Sequence, residues 1–366
     1  MINGSDTGFV LMSAALVMLM TSPGLAFFYG GLVRRKNVLS TMMQSFFLLC
    51  LLSVQWVLFG YSLAFGPDIG HVIGSLSWIG LKNVSMAPNP DYSATIPHAL
   101  FAVFQMMFAV ITPALITGAF AERMKFASFA LFSLLWATLV YDPVCHWVWG
   151  SGGWLKTIGV LDFAGGSVVH LSSGVSALVC ALMLGRRKGY PNEPLPPHNM
   201  TYVLLGASLL WFGWFGFNAG SALAANGLAV SAFIATNTAA AVAALTWMAI
   251  EWISAGKPTV LGGATGAVAG LATITPASGY VSVGSAMLIG IMAGMVCYSA
   301  VVFVKQKLTY DDSLDAFGVH GIGGMIGMLA TGLFAQKVIN GAGNNGLFFG
   351  NAGLLGAQAV ALGAQA

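Results

Sequence analysis

Read from its first residue, the chain alternates long apolar runs with short clusters of Gly, Pro, polar or charged residues. Complete runs fall near 8–32, 42–66, 99–121, 126–147, 162–185, 200–224, 229–253, 260–276, 281–304 and 314–336, and another begins at 351–366. Most approach or exceed the ~20 residues that carry a helix across a hydrocarbon core about 30 Å thick. Gly, Ala and Leu occur throughout each run, without the in-and-out alternation of a barrel strand, so the pattern predicts helices. The expectation is an all-α polytopic membrane protein of ten complete spans plus an eleventh helix that is incomplete in this chain, all within one transmembrane domain, 1–366.

Composition removes the soluble alternative. Hydrophobic residues make up 57% of the chain and charged residues 7%, against about 25% charged in an ordinary soluble domain. Cys50, Cys145, Cys180 and Cys297 lie in or beside apolar runs with no spacing that reads as a disulfide framework or metal site. His71, His98, His146 and His198 fall in loops or at span ends, so neither a metal nor a cofactor is expected, and no nucleic-acid partner. The start, "MINGSDTG", lacks the basic region of a cleavable signal peptide.

Charge then orients the spans. If the N-terminus is outside, the inner loops hold eleven Lys and Arg: Arg34, Arg35, Lys36, Arg123, Lys125, Arg186, Arg187, Lys188, Lys257, Lys305 and Lys307. The outer loops hold three, Lys82, Lys156 and Lys337. Cytoplasmic loops are enriched in Lys and Arg, so the asymmetry predicts a cell-membrane protein with its N-terminus outside.

The linker "GRRKGYPNEPLPPHN" (185–199) divides the spans into two sets of five, about 8–185 and 200–336, followed by the partial helix at 351–366. Five is odd, so the second set runs inverted relative to the first, an arrangement that puts a transport path at the repeat interface. The fifth span of each set carries Val-His-x-x-x-Gly, in "GSVVHLSSG" (166–174) and "FGVHGIGGM" (317–325). If each span starts at its Asp, His170 lies eight residues past Asp162, about 12 Å deep, and His320 lies five past Asp315, about 7–8 Å deep from the opposite end. Ionisable residues inside a membrane are expensive and usually line a path or relay protons. Asp162 and Asp315 read as helix caps, with attraction of a cation at the outer mouth as the alternative for Asp162. Gly262, Gly266 and Gly270, four apart, read as a close helix-packing face.

Aromatic residues gather near the outer span ends: Phe104 and Phe108 in "FQMMF", Trp147 and Trp149 in "HWVWGSGGW", and Trp211, Trp214 and Phe217 beside Ser221 in "WFGWFGFNAGS". Singly, such residues anchor a protein at the membrane interface. Together with a hydroxyl they also describe a small cation site, where ring faces attract a cation by up to about 2 kcal/mol.

At this point the sequence resembles the ammonium transporter (Amt/Mep/Rh) family, its Amt branch in particular. The resemblance is carried by "SPGLAFFYGGLVRRKNVL" (22–39), "FQMMFAVITPALITGAFAERMKF" (104–126), "HWVWG" (146–150), "DFAGGSVVH" (162–170), "WFGFNAGS" (214–221), "TPASGY" (275–280) and "DAFGVHGIGG" (315–324). It implies an inverted-repeat bundle of eleven helices and a homotrimer with one pore per subunit, passing ammonium or ammonia, with methylammonium as a further cargo. Carried onto this chain, Phe108, Trp149 and Ser221 would recruit ammonium, supported by Asp162, and Phe108 with Phe217 would form a gate. His170 and His320 would be paired pore histidines hydrogen-bonded to each other, with Phe104, Trp214 and Thr275 at secondary pore or vestibule positions. The family's cytoplasmic tail, where PII-type signalling proteins act, is missing from the residues here, so no such regulator is assigned. The implied mechanism recruits ammonium, deprotonates it and conducts ammonia, with a coupled proton route as the electrogenic version and passive gas conduction as the alternative. An ammonium-binding sensor and a membrane enzyme are the readings from other classes. No nucleophile or cofactor motif supports the enzyme.

Overall fold

The apolar runs fold into helices, and strand is confined to a small antiparallel hairpin, Asp68–Ile69 against Ile73–Gly74. The computed structural model describes residues 1–366. In chain order the helices are α1 Gly4–Leu32, α2 Arg35–Phe65, α3 His98–Phe120, α4 Phe126–Thr157, α5 Gly166–Leu184, α6 Met200–Ala222, α7 Gly227–Ala255, α8 Val260–Ile274, α9 Val283–Leu308, α10 Phe317–Phe334 and α11 Ala352–Gln365. Nine are long and apolar enough to cross a membrane. The other two, α8 and α11, have 15 and 14 residues, which at 1.5 Å per residue falls short of a core about 30 Å thick. Leu139, Met183, Phe212 and Ile253 point outward and exposed, as residues that face lipid chains do. The chain is a multi-pass membrane protein.

Several helix starts and ends differ from the sequence reading, most widely the start of α2 at Arg35 rather than 42 and the end of α4 at Thr157 rather than 147, and three of them bear on the site. α5 begins at Gly166 rather than 162, because Asp162–Gly165 turns through Gly165 at φ 113° before the helix starts. α10 likewise begins near Phe317 rather than 314, after Asp315 at φ 61°. His170 is therefore four residues into its helix and His320 three, and a depth counted from the aspartates overstates both. α8 ends at Ile274, before the turn that contains Pro276. The Pro276 carbonyl accepts the Phe163 N–H at 3.1 Å, so the end of α8 is fastened to the approach to α5.

Helix α3 is buried almost end to end and α8 is buried from Ala264 to Ile274, which places both at the centre of the bundle. α7 packs along α8 and α9, α6 along α1, and α5 against α3 and α10. The glycine face of α8 does what its spacing predicts, since a Cβ on Gly266 or Gly270 would come within 2.7 Å of α7.

The end of the bundle that carries most Arg and Lys is tied by buried ion pairs. Arg34 donates to Glu122 from its backbone N–H at 2.9 Å and from Nε at 2.7 Å. Arg187 grips Asp311 from Nε and Nη2 at 2.8–3.1 Å. Arg123 joins the same knot through the Gly185 carbonyl, the Asp311 carbonyl and Ser313 Oγ. The loops after α3, α5 and α9 are thereby locked together. Burial works to raise the carboxyl pKa of Glu122 and Asp311, yet the arginine hydrogen bonds outweigh it and hold both below their ordinary values.

Candidate functional site: a column of rings between two vestibules

The site starts from two helix beginnings. Asp162 Oδ1 accepts the N–H groups of Gly165 and Gly166 at 2.8 and 2.7 Å, and Oδ2 accepts those of Ser167 and Val168 at 2.8 and 3.1 Å. One carboxylate thus satisfies four donors that a helix start leaves free. The Asp162 backbone carbonyl accepts Trp149 Nε1 at 2.8 Å, so the same residue fixes an indole of the neighbouring helix. At α10 the capping residue is Asp312, whose Oδ2 accepts the Phe317 N–H at 2.7 Å. Asp315, expected to cap, instead pairs with Lys305. Its left-handed backbone turns its carboxylate toward α9. Burial pushes the Asp312 carboxyl up to about 6.

Both helices open with a π-helical turn, Gly166–Leu171 and Phe317–Gly321, and each turn contains the histidine. Such wide turns are rare and re-aim side chains. The two helices cross where these turns meet. A Cβ on Gly174 would lie 2.9 Å from the His320 carbonyl carbon, and one on Gly324 would lie 2.7 Å from both the Gly166 oxygen and the Leu171 nitrogen. The glycine four residues after each histidine is what lets the opposite helix approach.

The side chains that result form one file of rings. Trp149 meets Phe108 edge-on at 5.9 Å between centroids, and Phe108 meets Phe217 at 4.3 Å. Phe217 lies 5.9 Å from His170, and His170 lies 5.2 Å from His320 with the planes 17° apart. Phe104 backs Phe108 at 5.0 Å. Trp214 lies along His170 at 5.4 Å and donates Nε1 to Thr275 Oγ1 at 2.9 Å. Packing of His170 nearly parallel to both Trp214 and Phe217 sets the plane of its ring. The expected hydrogen bond between the histidines is not made: both nitrogens of His170 and Nδ1 of His320 have no partner within the protein.

The file separates two wide vestibules. On the Trp149 side a cavity of about 290 Å³ is lined by Trp149, Asp162, Ser221, Tyr92, Phe101 and Lys156 among others. On the Lys305 side a cavity of about 300 Å³ is lined by His320, Tyr29, Thr265, Lys305, Asp315 and Arg187 among others. Between them lies a space of only about 10 Å³, walled by His170, His320, Trp214, Phe217, Val268 and their apolar neighbours. That is about the volume at which a single water first fits. Two roomy cavities with polar and charged residues in their walls thus flank a narrow, mostly apolar space.

A model of the Ammonium Transporter Family matches residues 8–365. The chain belongs to the ammonium transporter family. An ammonium transporter of Bacillus subtilis (strain 168) is 57% identical to it over 359 residues, covering 98% of this chain and 87% of that relative. The crystal structure of Saccharomyces cerevisiae Mep2 matches with a TM-score of 0.94 and 39% identity, over 100% of this chain and 82% of that one. A structure described as a sensor Amt protein matches with a TM-score of 0.90 and 30% identity, over 99% of this chain and 89% of that one.

In this ammonium transporter family member, the residues singled out from sequence gather as one constellation. Phe108, Trp149, Phe217, His170 and His320 form the file, with Phe104, Trp214 and Thr275 packed behind it. Ser221 lines the Trp149 vestibule and donates its hydroxyl to the Phe217 carbonyl at 2.8 Å. Asp162 sits at that vestibule with both carboxylate oxygens engaged by backbone. Asp312 was missed, although the sequence marks it: eight residues separate Asp312 from His320, as eight separate Asp162 from His170. Gln358 was missed too. It is an amide in the middle of an apolar helix, and it reaches the Asp162 loop across 197 residues of sequence.

Proposed function

We propose that this chain is a transmembrane ammonium transporter, lying in the cell membrane with its basic end cytoplasmic and its N-terminus outside. The observation that carries the reading is the unbroken ring file from Trp149 to His320 between two vestibules. Ammonium is recruited at Phe108, Trp149 and Ser221, where aromatic faces return up to about 2 kcal/mol to a desolvated cation. The unpaired ion would lose far more than that on entering a dry, low-dielectric passage. It therefore sheds its proton at the Phe108–Phe217 gate, to vestibule water in passive conduction or to a neutral His170 imidazole in the coupled route, and neutral ammonia passes along His170 and His320. The unpartnered nitrogens of these imidazoles offer a neutral amine a donor or an acceptor in an otherwise apolar wall. They also suit a coupled proton route. Two five-helix halves related by inversion, about 8–185 and 200–336, account for the opposed Asp-to-His starts, and the working unit is a homotrimer with one path per subunit.

Solid-supported-membrane electrophysiology on proteoliposomes given an ammonium pulse tests this. A sustained current that depends on the lipid-to-protein ratio supports net charge movement. An internal pH change without current supports passive ammonia conduction instead. The likeness to a sensor Amt protein favours one second reading, binding without useful flux. Ammonium binding with neither current nor pH change establishes it and ends the transport reading. The His170→Ala, His320→Ala double variant should lose potassium exclusion, and exclusion retained there argues against a filtering role for the pair.

A further inference from the structure

Helix α11 contributes no ring to the file, yet it carries a side chain that holds the loop from which the file is built. Gln358 is fully buried. Its Oε1 accepts the Leu161 N–H at 2.9 Å and its Nε2 donates to the Leu161 carbonyl at 2.7 Å, with a longer contact to the Met328 carbonyl at 3.3 Å. Leu161 lies between α4 and α5, so its peptide groups have no helical partners, and the Gln358 amide supplies both. The next residue is Asp162. Its carboxylate organises the start of α5 and its carbonyl holds the Trp149 indole.

We infer that Gln358 is a positioning residue for the ammonium-recruiting site, acting through Leu161 and Asp162 on the orientation of Trp149 and on the π-helical turn that carries His170. The inference rests on the transport reading above for its functional consequence, and on the hydrogen bonds alone for its structural one. The chemistry it needs is specific: one donor and one acceptor, side by side, facing a single residue's backbone. Methionine has nearly the same size but offers no donor and only a weakly accepting sulfur. A glutamate offers the acceptor always, but the donor only when it is protonated.

Three proteins decide it, each the full chain in proteoliposomes: wild type, Gln358→Met and Gln358→Glu. Gln358→Met should raise the half-saturating ammonium concentration about tenfold, the size expected when a buried hydrogen-bonding pair is lost. Its maximal transport should change by less than about twofold, because the His170 ring within the passage is still held by Trp214 and Phe217. Gln358→Glu should show a similar deficit at alkaline pH and recover toward wild type, measured at the same pH, as acidification restores the donor. The Glu variant is one folded preparation read at two pH values, so misfolding cannot imitate the recovery. An unchanged half-saturation in Gln358→Met, a loss confined to maximal transport, or a flat relative pH profile in Gln358→Glu overturns the inference. If wild type moves no ammonium, the transport reading falls, and amide hydrogen exchange still decides the structural step. Gly165 to Val168 should exchange faster in Gln358→Met than in wild type while the Phe317 amide keeps its protection. Equal protection at Gly165 to Val168 overturns it.

Discussion

Asp162 does more for this site than its charge suggests. A carboxylate that accepts four backbone N–H groups is a structural anchor first, and on the proposed transport reading any part in recruiting a cation runs through geometry. Asp162→Ala leaves those four donors without partners, at a cost of about 1–3 kcal/mol for each that finds no water. The expected outcome is a lower melting temperature in detergent together with a raised half-saturating ammonium concentration. Asp312→Ala disturbs α10 in the same manner but acts on the Lys305 side, so its half-saturation from the Trp149 side should stay near wild type. Thr275→Val removes the only acceptor of the Trp214 indole N–H. It should cost about 1–3 kcal/mol of stability, read by thermal unfolding. Transport should then lose selectivity against potassium as Trp214 loosens its hold on His170.

Among the elements, the crossing of α5 and α10 is the most exacting. Gly174→Ala and Gly324→Ala each push a methyl into the backbone of the opposite helix. Overpacking of this kind typically costs about 1–3 kcal/mol, and here it also separates His170 from His320. Each variant should therefore lose maximal transport while keeping its half-saturation, the reverse of the pattern expected at Gln358. The spans themselves were legible in the sequence because a bilayer imposes length and hydropathy on every helix that crosses it. Their functional ends were not. "DFAG" before Gly166 and "LDA" before Phe317 each place one Asp among apolar residues, which reads as a cap at a helix start, so the pattern does not show that the chain is still turning there. The histidines and aromatics could be picked out because polar and bulky residues are conspicuous in an apolar chain. Asp315 drew attention from Asp312 by being nearer to His320. Nothing local distinguishes Gln358 from a lipid-facing or packing residue until α11 is seen against the Leu161 loop. The expected histidine hydrogen bond failed for a related reason: the plane of His170 is set by Trp214 and Phe217, and no spacing along the chain encodes that.

Over the whole molecule, charge and polarity are segregated. The ion pairs Arg34–Glu122 and Arg187–Asp311 tie the loops of the basic end. The carboxyls of Glu122 and Asp311 have lower pKa values in the folded protein than in the unfolded chain, since arginine hydrogen bonds overcome the effect of burial. The unfolded chain then binds more protons, so stability rises with pH across this range. The contribution is complete above the ordinary carboxylate range near pH 4 and is lost as pH falls through the folded-state values. Thermal unfolding in detergent from pH 7 downward should show that loss, and Glu122→Gln or Asp311→Asn should start less stable and fall less steeply. At the same scale, the two large vestibules and the tiny space between them decide where the membrane voltage acts. Water and ions in cavities of about 290 and 300 Å³ bring the bulk potential inward from each face. The electric field is thereby concentrated over the ring file from Phe108 to His320. A proton or an intact ammonium ion crossing that stretch does work of about 2.3 kcal/mol per 100 mV, while ammonia does none. An imposed voltage should therefore steer the charge that crosses the histidines and leave the nitrogen beside it indifferent.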